Sequence, residues 1–250
     1  MEPDTASNLP HFPSTYPEIL KRVDLIDPIA YGRTRNFTDG DVSYLSPYIS
    51  RGVLSTKFIL RHLLQQGYQV KAIEKFIQEL AWRDYWQQVW IAKSNAIDSD
   101  LKKPQADVDN HEIPRIIVVG KTGIQAVDQA IVKFYDTGYL HNHVRMYIAA
   151  LTCNVGKCHW RHPAQWMYYH LLDADWASNA LSWQWVAGSN SNKKYFANQE
   201  NINTYCHTEQ RHTFVDIPYE AFANLEIPKE LTDTYALKLL TPLPKQKQLA

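Results

Sequence analysis

The spacing of apolar residues along the middle of the chain predicts a series of helices. Between residues 70 and 91, apolar side chains recur three or four positions apart, and no Gly or Pro interrupts them. Thr122 is suited to cap a helix in GIQAVDQAIVKFYDTG, and Gly138 is suited to end it. Further helices are predicted from about residue 140 through 150 toward 157, from Pro163 to about 172, and from about Asp175 onward. Because no strand-like alternation lasts more than a few residues, the predicted fold class is all-α.

Proline-rich segments flank these helices and set the expected domain limits. Residues 1–30 contain several prolines with little periodicity, so we expect an extended N-terminal arm. A helical domain should follow over residues 31–205, beginning with a structured loop that turns into a helix near Ser46 or Ser55. Residues 94–120 are polar and should form a long loop with a short helix in it. Residues 206–250 should form a C-terminal extension, packed on the domain or trailing from it, with a frayed end.

The amino-acid composition limits which cellular compartment and which binding partners are expected for this protein. The 250 residues include 26 basic and 26 acidic side chains, so the formal net charge is zero and a nucleic-acid site would have to be a local patch. Three cysteines are too few for a disulfide scaffold and favour a reducing compartment. The chain has no apolar run as long as a membrane span, and the polar start MEPDTASNLP is unlike a signal peptide. We therefore expect a cytoplasmic protein without membrane contact.

Aromatic content is high, with 8 Trp and 15 Tyr. Aromatic side chains bury large areas, so an aromatic core is the simplest interpretation of these numbers. The segment LLDADWASNALSWQW, residues 171–185, adds two carboxylates and an amide to three indoles within fifteen positions. The function of these aromatic residues therefore has to be decided from their positions.

Polar clusters near the helices leave two interpretations open. HNHVRM, residues 141–146, lies in a mostly apolar helix, so Arg145 would need an acidic partner such as those of DAD, residues 173–175, or a ligand. A structural ion pair and a binding site explain this equally well.

A metal site at His141 and His143, or in CHWRH, matches no standard zinc spacing, and no metal is predicted. The chain lacks G-x-S-x-G, G-x-G-x-x-G and P-loop motifs, whereas the loop DGDVSYLS has hydroxyls suited to phosphate.

Five motifs in sequence order resemble the FAD-binding helical domain of the photolyase and cryptochrome family. They extend from about residue 31 to 196 and read YGRTRNFTDGDVSYLSPYISRGVLS, FIQELAWRDYW, KTGIQAVDQAIVKFYDTGYLHNHVRM, LLDADWASNALSWQW and KKYF. Family members normally carry an N-terminal α/β domain that holds an antenna chromophore, whereas this chain begins almost at the flavin domain. The resemblance therefore implies a short, antenna-less photolyase-like protein, which we expect to be a monomer.

The resemblance implies a set of cofactor-binding residues around an FAD held in a U shape at the centre of the bundle. The phosphate loop would include Tyr31, Ser43, Leu45 and Ser46. Arg83 would also bind the cofactor, and Arg145 would pair with Asp173 beside the isoalloxazine. Asp175 would contact the flavin or ribose region, and Asn179 would face the flavin N5, where an amide can donate or accept a hydrogen bond. The family loop reads T-S-R-L-S, so Val42 and Tyr44 replace a hydroxyl and a cation here.

Two tryptophans match the family's electron relay. Trp183 would lie next to the flavin and Trp160 one step farther out. A third, surface Trp is expected near Asp107 and is absent from the sequence there. Trp166, Trp176 or a Tyr would have to act as the outer donor.

A further group of residues matches the lesion-binding pocket. Glu79 would hydrogen-bond or protonate the dimer, while Trp82 and Trp185 would stack on flipped bases, Asn142 would contact a base, and Met146 would line the floor. Asn142 and Met146 favour cyclobutane dimers, because the enzymes that repair 6-4 photoproducts carry His in this region. The family's P-Y-F-R becomes KKYFAN here, so Ala197 replaces an Arg and Lys193 and Lys194 would contact phosphate instead.

The predicted function is light-driven repair of cyclobutane pyrimidine dimers by electron transfer from photoexcited reduced FAD. The DNA partner should carry pyrimidine dimers, and single-stranded DNA should be favoured. One alternative is a cryptochrome-like photoreceptor that uses FAD photoreduction for signalling. Another is a flavin-binding protein without light chemistry.

Overall fold

Helices account for most of the chain in the computed structural model, which describes residues 11–238. The α-helices are α1 (Tyr16–Asp24), α2 (Pro28–Thr34), α3 (Ser46–Ser50), α4 (Thr56–Gln65), α5 (Glu74–Lys93), α6 (Arg115–Val118), α7 (Gln125–Thr137), α8 (Asn142–Ala150), α9 (Arg161–His170), α10 (Trp176–Ala187) and α11 (Gln199–Cys206). Short 3₁₀ segments are Val70–Ile73, Ser94–Asp98, Tyr219–Asn224 and Lys229–Leu231, and α8 continues into a π-helical turn, Leu151–Val155. The strands β1 (Ile113–Pro114) and β2 (Thr234–Tyr235) form a short antiparallel pair. The predicted all-α class is confirmed.

The N-terminal segment differs from the prediction. Residues 16–24 are helical rather than extended, because Pro17 lies in the first turn, where no helical N–H is required, and Ile19 and Val23 share a buried face. Pro28 opens α2 in the same way. Pro17 and Pro28, which the sequence pattern assigned to an extended segment, therefore lie at the starts of two helices. The remaining part of the predicted arm, residues 1–10, lies outside the described range.

The long central helix and its neighbours begin close to the predicted positions. Helix α5 covers the segment predicted from periodicity. Ser46 begins α3, and Ser55 caps α4 by accepting a hydrogen bond from the backbone of Phe58 at 3.0 Å, so both proposed start points are helix starts. Gly138 ends α7 in the left-handed region, with φ at +67°.

The predicted cap at Thr122 is displaced by two residues. Helix α7 begins at Gln125, and Ile124 occupies its cap position. Thr122 instead receives a hydrogen bond from the backbone N–H of Ile124, and the carboxylate of Asp128 accepts from Thr122 N at 2.7 Å. The hydroxyl therefore helps to close a turn before the helix rather than capping its first turn.

Two apolar clusters hold the bundle together. One lies mainly among α7, α8, α9 and α10, and the other lies among α1, α3, α4 and the start of α5. Helix α5 packs against α2, α4 and α10, so it joins the two clusters. In the C-terminal extension, Val215, Phe222 and Leu231 are buried in the first cluster, while residues 239–250 lie outside the described range. None of the helices within residues 11–238 is long and apolar enough to cross a membrane.

Candidate cofactor and DNA site

A buried ion pair lies between the start of α8 and the loop before α10. Both terminal nitrogens of Arg145 donate to Asp173 Oδ2 at 3.1 Å, and Arg145 Nε donates to the carbonyl of Leu140 at 2.8 Å. Burial alone would raise the pKa of Asp173, but Arg145 and Arg83, together with a hydrogen bond from Ser46, lower it below its ordinary value. The expected pairing of Arg145 with Asp173 therefore occurs, and Ser46 contributes to it.

A second ion pair joins α5 to the start of α10. Arg83 Nη1 donates to Asp175 Oδ2 at 2.8 Å, and Gln87 Nε2 donates to Asp175 Oδ1 at 2.8 Å. The same carboxylate caps α10 by accepting from Ser178 N at 3.0 Å and from Ser178 Oγ at 2.9 Å. Asp175, predicted to contact the flavin or ribose, thus has both oxygens engaged within the protein. Its contribution to the site is to orient Arg83 and the helix.

The predicted phosphate loop lies beside a cavity of about 420 Å³. Tyr31, Ser43 and Tyr44 line this cavity, whereas Leu45 is buried in the apolar cluster and can offer only its backbone. Tyr44 has φ at +53° and packs on Tyr139, with ring centroids 4.9 Å apart. The cavity also carries charges of both signs, from Glu18, Lys21, Arg22, Asp27 and Asp41. Hydroxyls and cations are therefore available at this loop, but the cavity is not uniformly positive.

The buried face of α10 carries the residues predicted to adjoin the flavin. Asn179 is buried, and its amide nitrogen donates to the carbonyl of Ala164 at 2.8 Å, which fixes the orientation of the amide. Trp183 is 2% exposed on the same helix, and Trp160, at the start of α9, is fully buried. Trp160 Nε1 donates to Asp100 Oδ1 at 2.8 Å. Burial of both indoles is consistent with an aromatic core and with a relay.

The two tryptophans predicted as alternative outer electron donors are both buried, and each contacts a tyrosine. Trp166 Nε1 donates to the hydroxyl of Tyr135 at 2.9 Å, and Tyr135 is 41% exposed. Trp176 contacts Tyr168 edge-on at 5.4 Å between ring centroids, and its Nε1 donates to Asp98 at 2.7 Å. Trp166 is therefore bonded to an exposed tyrosine and Trp176 contacts a half-buried one, and neither of these contacts involves Trp160.

Residues assigned to the lesion pocket lie at the surface of α5, α8 and α10. Trp82 is 46% exposed on α5 and stacks on Trp86 with ring centroids 5.3 Å apart, while Trp185 is 42% exposed on α10. Asn142 is exposed at the start of α8, and Met146, one turn later, is half-buried. Glu79 is partly exposed on α5, and Arg35 Nε lies 3.5 Å from its carboxylate. The two exposed indoles thus lie on helices that pack against each other.

The two lysines after α10 are in different environments. Lys194 Nζ lies 2.8 Å from Asp107 Oδ2, and this pair lowers the pKa of Asp107. Lys193 is exposed. Ala197 is buried, so the position of the missing arginine belongs to the apolar cluster in this protein and not to its surface.

Several residues around the site were missed in the sequence. Three of them come from segments distant in sequence from their partners. They are Arg35, which lies beside Glu79, Gln87, which donates to Asp175, and Asp100, which accepts from Trp160. Their only sequence signal was a polar residue near a helix, which is too common to identify a site. Within residues 11–238, no group of three His, Cys, Asp or Glu side chains could hold a metal ion.

Comparisons with known proteins identify the family. A family model described as the FAD binding domain of DNA photolyase matches residues 76–219, which is more than half of the chain. A deoxyribodipyrimidine photo-lyase from Alkalihalophilus pseudofirmus is 30% identical over 148 residues, covering 58% of this chain and 31% of the relative. The corresponding protein from Streptomyces griseus is 31% identical over 156 residues, covering 61% and 33%. The chain thus spans about a third of the length of these relatives.

Solved structures show the same fold. A cryptochrome from Synechocystis sp. PCC6803 superimposes with a TM-score of 0.68 at 24% identity, covering 79% of this chain and 44% of that one. A class III photolyase from Agrobacterium tumefaciens gives a TM-score of 0.65 at 21% identity, covering 89% and 55%. The family model confirms FAD as the expected cofactor. The chain belongs to the photolyase and cryptochrome family, whose FAD-binding helical domain it contains.

Proposed function

We propose that this protein repairs cyclobutane pyrimidine dimers in DNA by light-driven electron transfer from bound, reduced FAD. The observation that carries the proposal is the division of α5 and α10 into two faces. Asn179 and Trp183 lie on the buried face of α10, while Trp82 and Trp185 are exposed on the outer faces of the two helices. The Arg83–Asp175 ion pair connects the same helices. A cofactor site inside the bundle and an aromatic surface outside it therefore share one rigid support.

The buried polar groups fit a flavin dinucleotide. Arg145 and Asp173 provide a fixed charge pair, and the amide of Asn179 is held by Ala164. Tyr31 and Ser43 line the cavity at the phosphate loop. These residues would hold FAD, which supplies the light absorption and the transferable electron when it is bound.

The roles of the protein residues follow from burial and hydrogen bonding. Arg145 and Asn179 would supply positive charge and an amide dipole to the bound cofactor. Since Asp173 offsets the charge of Arg145, neither group is left uncompensated when water is excluded. Trp183 and Trp160 would pass an electron inward when the cofactor is oxidised. Repair itself would use the cofactor after it has been reduced.

The exposed indoles would bind the damaged bases. Stacking of a base on an aromatic side chain contributes about 1–3 kcal/mol, so Trp82 and Trp185 together could offset the cost of exposing a dimer from the stack. Glu79 would hydrogen-bond the dimer, with Arg35 holding its carboxylate. Asn142 and Met146 at the start of α8 would complete a pocket suited to a cyclobutane dimer.

The preference for single-stranded DNA is part of the proposal. Lys194 is already paired with Asp107, so Lys193 is the better placed of the two lysines to contact phosphate. The formal net charge is zero, which provides little general attraction to a duplex. A dimer in single-stranded DNA avoids most of the cost of unpairing.

Anaerobic illumination of the purified, chemically reduced protein with a dimer-containing oligonucleotide tests this function. We expect loss of the dimer in the light and not in the dark. Trp82→Ala and Trp185→Ala should weaken substrate binding, whereas Tyr16→Ala, a control at an exposed aromatic residue on α1, should not. Flavin photoreduction without any dimer splitting would reject repair and favour a cryptochrome-like photoreceptor.

A further inference from the structure

The hydrogen bond between Trp160 and Asp100 joins an indole assigned to electron transfer to a carboxylate. The Nε1 to Oδ1 distance is 2.8 Å, and the indole is completely buried. Asp100 is held by two further contacts: its Oδ2 accepts from Gln105 N at 2.9 Å, and its Oδ1 lies 3.5 Å from His159 Nε2. The backbone N–H of Trp160 also donates to Gln105 Oε1 at 2.9 Å. The carboxylate and the indole are thus fixed relative to each other.

The carboxylate links this buried indole to solvent. The Asp100 side chain is 20% exposed, whereas Trp160 has no exposed surface. His159 lies beside both groups and stacks on His111, with ring centroids 4.8 Å apart. A proton that leaves the indole nitrogen can therefore reach Asp100 directly and then water, without a conformational change.

The need for such a group follows from the incomplete tryptophan relay. No tryptophan occupies the expected third position near Asp107. Without another electron hop, a positive charge on Trp160 would recombine with the reduced cofactor. When an indole has been oxidised by one electron, loss of its N–H proton removes that positive charge. Recombination then becomes slower, because return of the electron requires return of the proton.

We infer that Asp100 is the proton acceptor that ends the relay at Trp160. This inference rests on the proposed photoreduction of FAD. With oxidised FAD bound and the protein illuminated, Trp183 would give up one electron to the cofactor and take one from Trp160. The N–H bond of Trp160 then breaks, the proton passes to Asp100, and a neutral indolyl radical and a carboxylic acid remain. One electron has moved inward and one proton outward. An external thiol later supplies an electron and a proton to Trp160 and becomes a thiyl radical, while Asp100 releases its proton to water.

The chain offers a matched control for this step. Asp98, two residues away, accepts a hydrogen bond from Trp176 Nε1 at 2.7 Å in a comparable buried setting. Asn at either position retains a carbonyl oxygen that can accept from the indole but cannot take up its proton at neutral pH. Asp100→Asn and Asp98→Asn therefore differ in which tryptophan is affected and not in the type of change.

Flash photolysis of the FAD-loaded protein, in H₂O and D₂O, tests the inference. In wild type and Asp98→Asn, the transient absorption should show a neutral tryptophan radical, with a solvent isotope effect on its formation. In Asp100→Asn, the neutral radical and the isotope effect should both be lost, and a short-lived radical cation should appear instead. The melting temperature and FAD content of this variant show whether the substitution has damaged its structure. The inference is overturned if a folded, FAD-loaded Asp100→Asn variant still forms the neutral radical. It is also overturned if Asp98→Asn loses that radical and its isotope effect.

A separate outcome concerns the proposed relay, which repair by chemically reduced protein does not require. If wild-type protein binds FAD but shows no photoreduction at all, the relay is wrong, and Asp100 loses its assigned role with it. Apo-protein gives a readout that is independent of light chemistry. Exchange of the Trp160 indole N–H in NMR spectra should accelerate in Asp100→Ala, which lacks the acceptor, and not in Asp98→Ala.

Discussion

Arg83 Nη1 and Asp175 Oδ2 lie 2.8 Å apart and connect the middle of α5 to the first turn of α10. The aspartate also caps α10 through Ser178, so one carboxylate combines a helix cap with an interhelical ion pair. Since Trp82 precedes Arg83 and Trp185 lies on α10, this contact positions both exposed indoles. The contact thus fixes the start of α10 against α5.

Substitutions of Asp175 should separate its two roles. Asp175→Asn keeps an acceptor for Ser178 N but loses the charge opposite Arg83, whereas Asp175→Ala loses both. Loss of the cap costs about 0.5–2 kcal/mol, and leaving Arg83 unpaired in a buried site costs about 3–5 kcal/mol. Urea unfolding should rank wild type above Asn and Asn above Ala. Equal stability of the two variants would show that the cap contributes nothing.

Removal of Asp173 should reduce FAD occupancy. Asp173→Ala leaves Arg145 buried without its anion, a change that typically costs about 3–5 kcal/mol. The flavin to protein absorbance ratio after purification should fall, and excess FAD should restore it only in part. Full retention of flavin by a folded variant would place the pair outside the cofactor site.

Because of His141, stability should decline as the pH is lowered from neutral to mildly acidic values. Burial, together with His143 and Arg145, lowers the pKa of His141 from 6.5 to about 4. Below pH 6.5 the unfolded chain takes up a proton that the folded protein does not bind until about pH 4, so the free energy of unfolding falls as the pH is lowered through this range. Asp173 acts in the same direction only at lower pH, because its stabilisation is present above its ordinary pKa of 3.8 and is lost below it.

Urea unfolding between pH 4 and 7 measures this effect. His141 Nδ1 accepts from the backbone N–H of His143 and so caps α8. Asn can also cap α8 but does not titrate, so His141→Asn should flatten the pH dependence. An identical slope in the variant would assign the effect to another group.

Trp183 should be required for photoreduction and not for repair. Trp183→Phe removes the first donor of the relay, so light-driven reduction of oxidised FAD should be lost or much slower. Dimer splitting by chemically reduced protein should continue, because repair starts from a cofactor that is already reduced. Parallel loss of both activities would indicate that Trp183 is a core residue only.

Binding to a dimer in single-stranded DNA should be at least as tight as binding to the same dimer in a duplex. Titrations at two salt concentrations should show a shallow dependence, near −0.7 in log K against log salt for each neutralised phosphate of a single strand. Lys193→Gln should weaken binding more than Lys194→Gln, because Lys194 already pairs with Asp107. Clearly tighter duplex binding would require a further DNA-binding surface.

Local signals in the sequence were sufficient for many elements. Asp175 before an apolar run predicted the start of α10, and Gly138 predicted the end of α7, because capping and left-handed conformations depend on neighbouring residues. The helical segment at residues 16–24 was missed because Pro17 and Pro28 indicate a helix start and a loop equally well. The resemblance identified Arg145 and Asp173, which are 28 positions apart and meet as expected.

The sequence by itself determined the all-α class, the starts of several helices and the FAD-binding family, since these follow from periodicity, capping and ordered motifs. Only the tertiary structure decided that Asp100 binds Trp160, that Arg35 lies beside Glu79 and that Lys194 is paired with Asp107. These contacts join residues 44 to 87 positions apart. Their geometry is set by how the helices pack, and a polar side chain at one position carries no local signal of the partner that packing brings to it.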